Sequence, residues 1–172
     1  GSSADIVEES RVAMFGPARP GYRFMFPEDH GAHPAFHTEW WYYTGHLKAG
    51  DGRRFGYQLT FFRRGLYRGP DGASPRERSR WRIDDLYFAH LAVADIQGGR
   101  FRFADTISRE GLGKAGAEEG RLRVWIDRWS AEATGSHHGS HRLMADERDT
   151  LRAGRTDEAG QGVGIGLKLE VN

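Results

Sequence analysis

The sequence predicts an all-β protein of antiparallel strands, arranged as a sandwich or as an up-and-down barrel. Two observations support this fold class: successive segments alternate between apolar and polar residues with period two, and short glycine-containing turns separate several of them. Several strands carry aromatic residues on both faces, which favours a barrel that encloses an apolar space. The 172 residues suffice for one domain with its own core.

The first part of the chain is expected to be extended, because residues 4–36 show little periodicity and contain four prolines. A short and weak helix candidate is Asp5–Met14. Residues 1–25 are assigned to an extended N-terminal segment and residues 26–172 to the barrel domain. The polar, charged stretch near 135–162 is expected to be a surface insertion.

The predicted strands begin at residue 39. Gly50-Asp51-Gly52 predicts a tight hairpin turn, because Asp-Gly tolerates the positive φ that such a turn needs. Residues 97–99 predict a second turn, and residues 65–82 and 111–120 are expected to be loops. The predicted strands are 39–48, 54–64, 85–96, 101–108, 121–133, 142–145 and 162–171.

Composition and charge exclude several function classes. Lys and Arg total 25 and Asp and Glu total 24, so the net charge of +1 gives no case for nucleic acid as the partner. The absence of cysteine excludes disulfides, thiolate catalysis and cysteine-bound zinc. No apolar run is long enough to span a membrane.

Four segments resemble the AttH-like, carotenoid 1,2-hydratase-like family of lipocalin-fold proteins. The longest covers 26–47 and contains Phe-His-Thr-Glu-Trp-Trp-Tyr-Tyr-Thr-Gly-His at 36–46. The other three, 54–63, 87–92 and 125–132, follow in the order of the family. A match of this extent is far more specific than a single short motif.

The resemblance implies a lipocalin-like (calycin) β-barrel, the first of two such domains in a longer protein. Members of the family include hydratases that add water to an isolated alkene and relatives that cyclise polyenes. An apolar isoprenoid, polyene or lipid-like ligand is therefore implied, with no cofactor. Similar bacterial proteins are described as predicted secreted hydrolases, which implies a periplasmic or secreted location, although no Gly-x-Ser-x-Gly nucleophile motif supports hydrolysis.

Glu39 is the candidate catalytic acid. Hydration of an alkene requires protonation of carbon, and a carboxyl group in apolar surroundings can hold the necessary proton at neutral pH. Strand alternation places Glu39 on the same face as Trp41 and Tyr43, whose rings could stabilise the resulting cation. The alternative is structural, an ion pair at the barrel mouth between Glu39 and one of the chain's many arginines.

The remaining candidate site residues are histidines and aromatics. His46 and His90 lie in predicted strands and are secondary acid–base candidates, with a core role favoured. The spacing of His30, His33 and His37 could bind a metal on a helix, but the surrounding glycine and proline indicate a loop, so hydrogen bonds are favoured and no metal site is predicted. No native role is assigned to His137, His138 and His141. The candidate ligand-binding residues are Trp40, Trp41, Tyr42, Tyr43, Tyr57, Phe61 and Phe88, and of these Trp40 and Trp41 are expected in the core rather than in catalysis.

Three hypotheses about function remain open. The domain could act on an apolar substrate by acid catalysis, as a hydro-lyase. It could bind or carry a hydrophobic ligand without chemistry. It could instead be an architectural half that supports an active site formed with the second domain.

Overall fold

The computed structural model describes residues 15–66, 83–134, 139–146 and 166–171. Within these ranges the chain forms nine β-strands, one short 3-10 turn at Glu28–His30 and no α-helix, so the predicted all-β class is confirmed. The helix candidate at Asp5–Met14 lies outside the described residues. The strands are β1 Thr38–Lys48, β2 Arg54–Gly65, β3 Asp85–Asp95, β4 Arg100–Arg109, β5 Ala115–Ala117, β6 Arg123–Ile126, β7 Trp129–Thr134, β8 Ser140–Asp146 and β9 Gly166–Val171.

The strands form two antiparallel sheets, each a simple meander. The first has the order β1-β2-β3-β4 and the second the order β5-β6-β7-β8-β9. No backbone ladder joins the two sheets within the described ranges, so the expectation of a closed barrel is wrong for this part of the chain. The sheets meet through side chains instead, because residues of both contribute to one apolar core.

The inner face of each sheet follows from strand alternation. In β1 and β2 the odd-numbered residues point inward, and the register pairs Trp41 with Phe61 and Phe61 with Ala89. Phe61 and Ala89 are fully buried, which places them at the centre of the core. The facing side chains from the second sheet include Val124, Ile126, Trp129, Ala131 and Leu143, all fully buried.

The predicted strand 121–133 is wrong, because the chain reverses in its middle. Asp127 adopts a left-handed φ of 52°, and β6 and β7 pair across this turn with Ile126 opposite Trp129. Residues 127 and 128 form the turn and interrupt the alternation of inward and outward side chains. Trp129 therefore points into the core, while Trp125 is half-buried on the other face of the sheet. The short strand β5 also lies inside a segment expected to be a loop.

The region expected to be a surface insertion, 135–162, contains β8. This strand pairs with β7 on one side and β9 on the other, so residues 140–146 are a central strand of the second sheet. The weak strand predicted at 142–145 is therefore present and longer. No helix among the described residues is long and apolar enough to cross a membrane.

The outer face of the first sheet is unusually aromatic. Phe62 and Phe88 stack with ring centroids 4.7 Å apart, and His90 lies between Phe62 and Phe103. Phe101 is 70% exposed and Trp40 is 63% exposed. We call this surface the outer aromatic face; its members are Trp40, Tyr42, Phe62, Phe88, His90, Phe101, Phe103 and Ile107.

Candidate functional site

A cleft of about 470 Å³ runs along the edge of β1 that pairs with no other strand among the described residues. It lies between this strand and residues 15–37, which precede it and are called the N-terminal segment from here on, and β8 contributes to one end. Since β1 is an edge strand, residues of both its faces border the cleft. We call it the β1 cleft; its lining includes Phe24, Asp29, His30, His33, Thr38, Glu39, Trp40, Trp41, Tyr42, Tyr43, Leu122 and His141.

Gly31 holds the N-terminal segment against the second sheet. A Cβ at this position would lie 2.6 Å from the backbone nitrogen of Gly120, so only glycine permits this approach. The next residue, Ala32, donates its backbone N–H to the carbonyl of Glu118 at 2.7 Å. The segment thus spans from the second sheet to β1 and closes one side of the cleft.

Glu39 accepts hydrogen bonds from two residues, His33 and Arg63. The backbone N–H of His33 donates to both carboxylate oxygens, at 2.9 and 3.0 Å, and His33 Nδ1 lies 2.7 Å from Oε1. From the other side, Nε and Nη2 of Arg63 both donate to Oε2 at 3.2 Å. Glu39 therefore joins the N-terminal segment to β2.

Arg63 is the centre of this network and is only 1% exposed. Besides Glu39, it contacts Asp85 on β3, with Nη1 donating to Oδ1 at 3.0 Å. Its Nη2 also donates to the backbone carbonyls of His33 and Phe36, at 3.0 and 2.8 Å. Each of the three guanidinium nitrogens thus donates to at least one acceptor and the charge faces two carboxylates, which is the condition for tolerating a charge in a protein interior.

His33 extends the network toward the surface. Its Nε2 lies 3.0 Å from Oδ1 of Asp29, which also accepts hydrogen bonds from the hydroxyl of Tyr22 and the backbone of Met25. Burial alone would lower the pKa of His33, but the hydrogen bonds to Asp29 and Glu39 outweigh burial and raise it. The hydrogen bond with His33, followed by that from Met25, lowers the pKa of Asp29.

These shifts predict a pH-dependent stability. Because folding raises the pKa of His33, protonation of this residue stabilises the folded state. Its contribution to the free energy of unfolding is fully present below the unfolded pKa of about 6.5 and is lost as the pH rises through the folded pKa. The contribution of Asp29, whose pKa is lowered, is present above about 3.9 and is lost on further acidification. We expect the difference in urea midpoint between the wild type and His33→Gln to be largest near pH 5.5 and to shrink by pH 8.5. A constant difference across this range would contradict the network as described.

The opposite end of the cleft has a separate polar contact. The hydroxyl of Tyr43 lies 3.1 Å from Nδ1 of His141, a residue of β8. The ring of His30 meets that of His141 edge to face, with centroids 5.5 Å apart. Sequence reasoning missed His141, because nothing local indicates that a histidine 98 residues beyond Tyr43 lies beside it.

The structure divides the sequence-predicted residues between two faces of the first sheet. Glu39, Trp41 and Tyr43 share the inner side of β1 and line the cleft together. Tyr57 and Phe61 also point inward but are buried in the core beyond the cleft lining. The residues on the outer side of the sheet are Trp40, Tyr42, His46, Phe88 and His90.

The expectations for the indoles and the histidines have different outcomes. Trp41 is 9% exposed and belongs to the core, whereas Trp40 is exposed, so the expectation of a core position is wrong for Trp40. Exposure of His46 and His90 likewise contradicts a core position for either. Within the described ranges, no cluster of three or more histidine or carboxylate groups has the arrangement to hold a metal ion.

A second groove, of about 740 Å³, adjoins the cleft. The two share Phe24, His33 and Thr38 in their linings. The rest of the groove is formed by the N-terminal segment, including Pro17, Pro20, Tyr22 and Phe36. The two spaces together form a long, largely apolar surface beside β1.

Comparisons with known proteins point to one family. A family model described as AttH-like matches residues 17–156, a range that includes every residue of the β1 cleft. A crystal structure assigned as AttH, from Nitrosomonas europaea, is similar to this chain with 32% sequence identity and a TM-score of 0.60. That alignment covers 76% of this chain and 36% of the Nitrosomonas chain. No curated protein matches this chain.

Proposed function

This chain belongs to the AttH-like family, and from that premise we propose that it is a lipocalin-like domain that binds an apolar small molecule in the β1 cleft. One observation carries the proposal: the cleft combines an aromatic wall with a volume of about 470 Å³. Pockets for small molecules usually have volumes of roughly 300–1,000 Å³ and are lined by apolar and aromatic side chains. An isoprenoid, polyene or lipid-like ligand fits this chemistry.

Binding without chemistry is better supported than acid catalysis by Glu39. Every contact with its two carboxylate oxygens comes from an N–H group of His33 or Arg63. A carboxylate that accepts all of these hydrogen bonds is held as an acceptor, whereas protonation of an alkene needs a carboxylic acid with its proton directed at carbon. Hydration by Glu39 stays a prediction, for which product formation by the wild type but not by Glu39→Gln is the test.

The outer aromatic face favours an architectural role as the second candidate function. Its exposed area includes Phe101, Phe103 and Ile107, which are 70%, 43% and 53% exposed. Contiguous apolar surface of this kind is typical of an interaction site. The chain spans 36% of the Nitrosomonas protein, and we propose that a second lipocalin-like domain covers this face in a longer, exported protein.

Phe24 provides a direct test of ligand binding in the cleft. It lines both the cleft and the groove and is 66% exposed, so its replacement should leave folding intact. We expect farnesol to quench tryptophan emission, because Trp41 lies in the cleft wall, and Phe24→Ala to weaken binding about tenfold through lost apolar contact.

Met25 gives the matched control. It is 68% exposed and directly follows Phe24 but does not line the cleft, so Met25→Ala should bind farnesol as the wild type does. Equal losses in the two variants would place the ligand elsewhere. If neither farnesol nor oleate quenches the emission, the binding proposal fails and the architectural candidate is favoured.

A further inference from the structure

The pair formed by Tyr43 and His141 is a polar contact in the cleft wall that is separate from the network of Glu39, His33 and Asp29. Tyr43 belongs to the first sheet and His141 to the second, so their 3.1 Å contact bridges the two sheets. Both residues line the cleft. A ligand that extends along the cleft as far as the second sheet would therefore contact this pair of side chains.

The Tyr43 hydroxyl can still bond a ligand while it contacts His141. Burial raises the pKa of this phenol, so the hydroxyl keeps its proton at neutral pH. A phenol offers one donor and also accepts. If the hydroxyl donates to His141, its oxygen can still accept a hydrogen bond from a ligand. If it accepts from His141, its O–H can still donate to a ligand.

The two carboxylates of the described cleft and the indole N–H of Trp41 already have partners. Glu39 accepts from Arg63 and His33, and the indole N–H of Trp41 donates to the backbone carbonyl of His30 at 3.0 Å. Asp29 accepts from Tyr22 and Met25. The Tyr43 end differs, because Nδ1 of His30 is buried there without a hydrogen-bond partner among the residues that the structure describes.

We propose that Tyr43 and His141 form a subsite for a single hydroxyl group on an otherwise apolar ligand, which makes the ligand class an isoprenoid or fatty alcohol. A hydroxyl both donates and accepts, so it pairs with Tyr43 in either orientation of the Tyr43–His141 hydrogen bond. The aromatic wall formed by Trp41 then packs against the hydrocarbon part. This inference rests on the proposed function, since it places the ligand in the β1 cleft.

The test compares two probes that share one carbon skeleton. Farnesol carries a terminal hydroxyl, and the hydrocarbon farnesene lacks it. We expect the ratio of their dissociation constants, farnesene over farnesol, to fall about tenfold in Tyr43→Phe, since one hydrogen bond to a buried group is lost. Farnesene itself should bind Tyr43→Phe as it binds the wild type, because the ring is retained. His141→Ala should lower the ratio less than Tyr43→Phe does, because it removes only the group that orients the Tyr43 hydroxyl.

Thr106→Val is the matched control. It also removes a hydroxyl from the inner side of the first sheet, but Thr106 lies on β4 and does not line the cleft. Its ratio should equal that of the wild type. If both probes bind and Tyr43→Phe leaves the ratio unchanged, the hydroxyl subsite is wrong while the proposed function stands. If neither probe binds the wild type, the proposed function fails first.

Discussion

Replacement of Arg63 by alanine is expected to lower the free energy of unfolding by about 3–5 kcal/mol. The guanidinium is 1% exposed and forms ion pairs with Glu39 and Asp85. Removing it takes this cation away from two partly buried carboxylates, and it also removes the donor to the carbonyls of His33 and Phe36. The loss exceeds the value of the ion pairs themselves, because a partly buried carboxylate that loses a charged partner is costly. Urea denaturation followed by circular dichroism measures it.

Arg64 is the control for this experiment. It is the next residue of β2, but strand alternation turns it outward and it is exposed. Arg64→Ala should change stability by no more than about 0.5 kcal/mol, as surface substitutions usually do. If the two alanine variants were equally stable, the Arg63 network would not be holding the N-terminal segment against the sheet.

Replacement of Trp129 by alanine should have an effect of similar size, about 3–5 kcal/mol, for a different reason. The indole is fully buried at the centre of the second sheet, and its N–H donates to the carbonyl of Asp146 at 2.8 Å. Truncation leaves a cavity that the surrounding strands cannot fill, and it leaves that carbonyl without this donor. The midpoint of thermal or urea unfolding reports the loss.

Trp125 is the matched comparison, since it lies four residues earlier on the same hairpin. It is half-buried, stacks under the guanidinium of Arg123 at 4.9 Å and donates its indole N–H to the carbonyl of Gly113. These contacts lie near solvent, so Trp125→Ala should cost only about 1–2 kcal/mol. A Trp125→Ala variant that is less stable than Trp129→Ala would contradict the reversal of the chain at Asp127.

The network around Arg63 also affects how Glu39 is interpreted. Its position among aromatic residues suggested a catalytic acid, and the same position brings it to Arg63 on the neighbouring strand. The register pairs Glu39 directly with Arg63, so both side chains lie on the inner side of the sheet. The structural alternative considered from the sequence is the one that this geometry favours, and the proposal of ligand binding in the cleft does not depend on the choice.

Local patterns in the sequence determined the all-β class, the bounds of β1 to β4 to within a residue or two, and which side chains of β1 share a face. They did so because period-two alternation and tight-turn residues act between near neighbours in the chain. The segments from 26 to 134 also carried enough of the family's residues for its resemblance to be seen, and the family match confirms it.

Only the tertiary structure decided the side of the sheet on which Trp129 lies, the partner of Glu39 and the contact between Tyr43 and His141. The two-residue turn that begins at Asp127 changes which of the following side chains point inward and which point outward. The left-handed φ of a single aspartate leaves no pattern in the sequence from which this turn could be predicted. The other two depend on which strands become neighbours and how the two sheets meet. Such contacts join residues far apart in the chain, and their free energy comes from packing and charge compensation that local sequence does not encode.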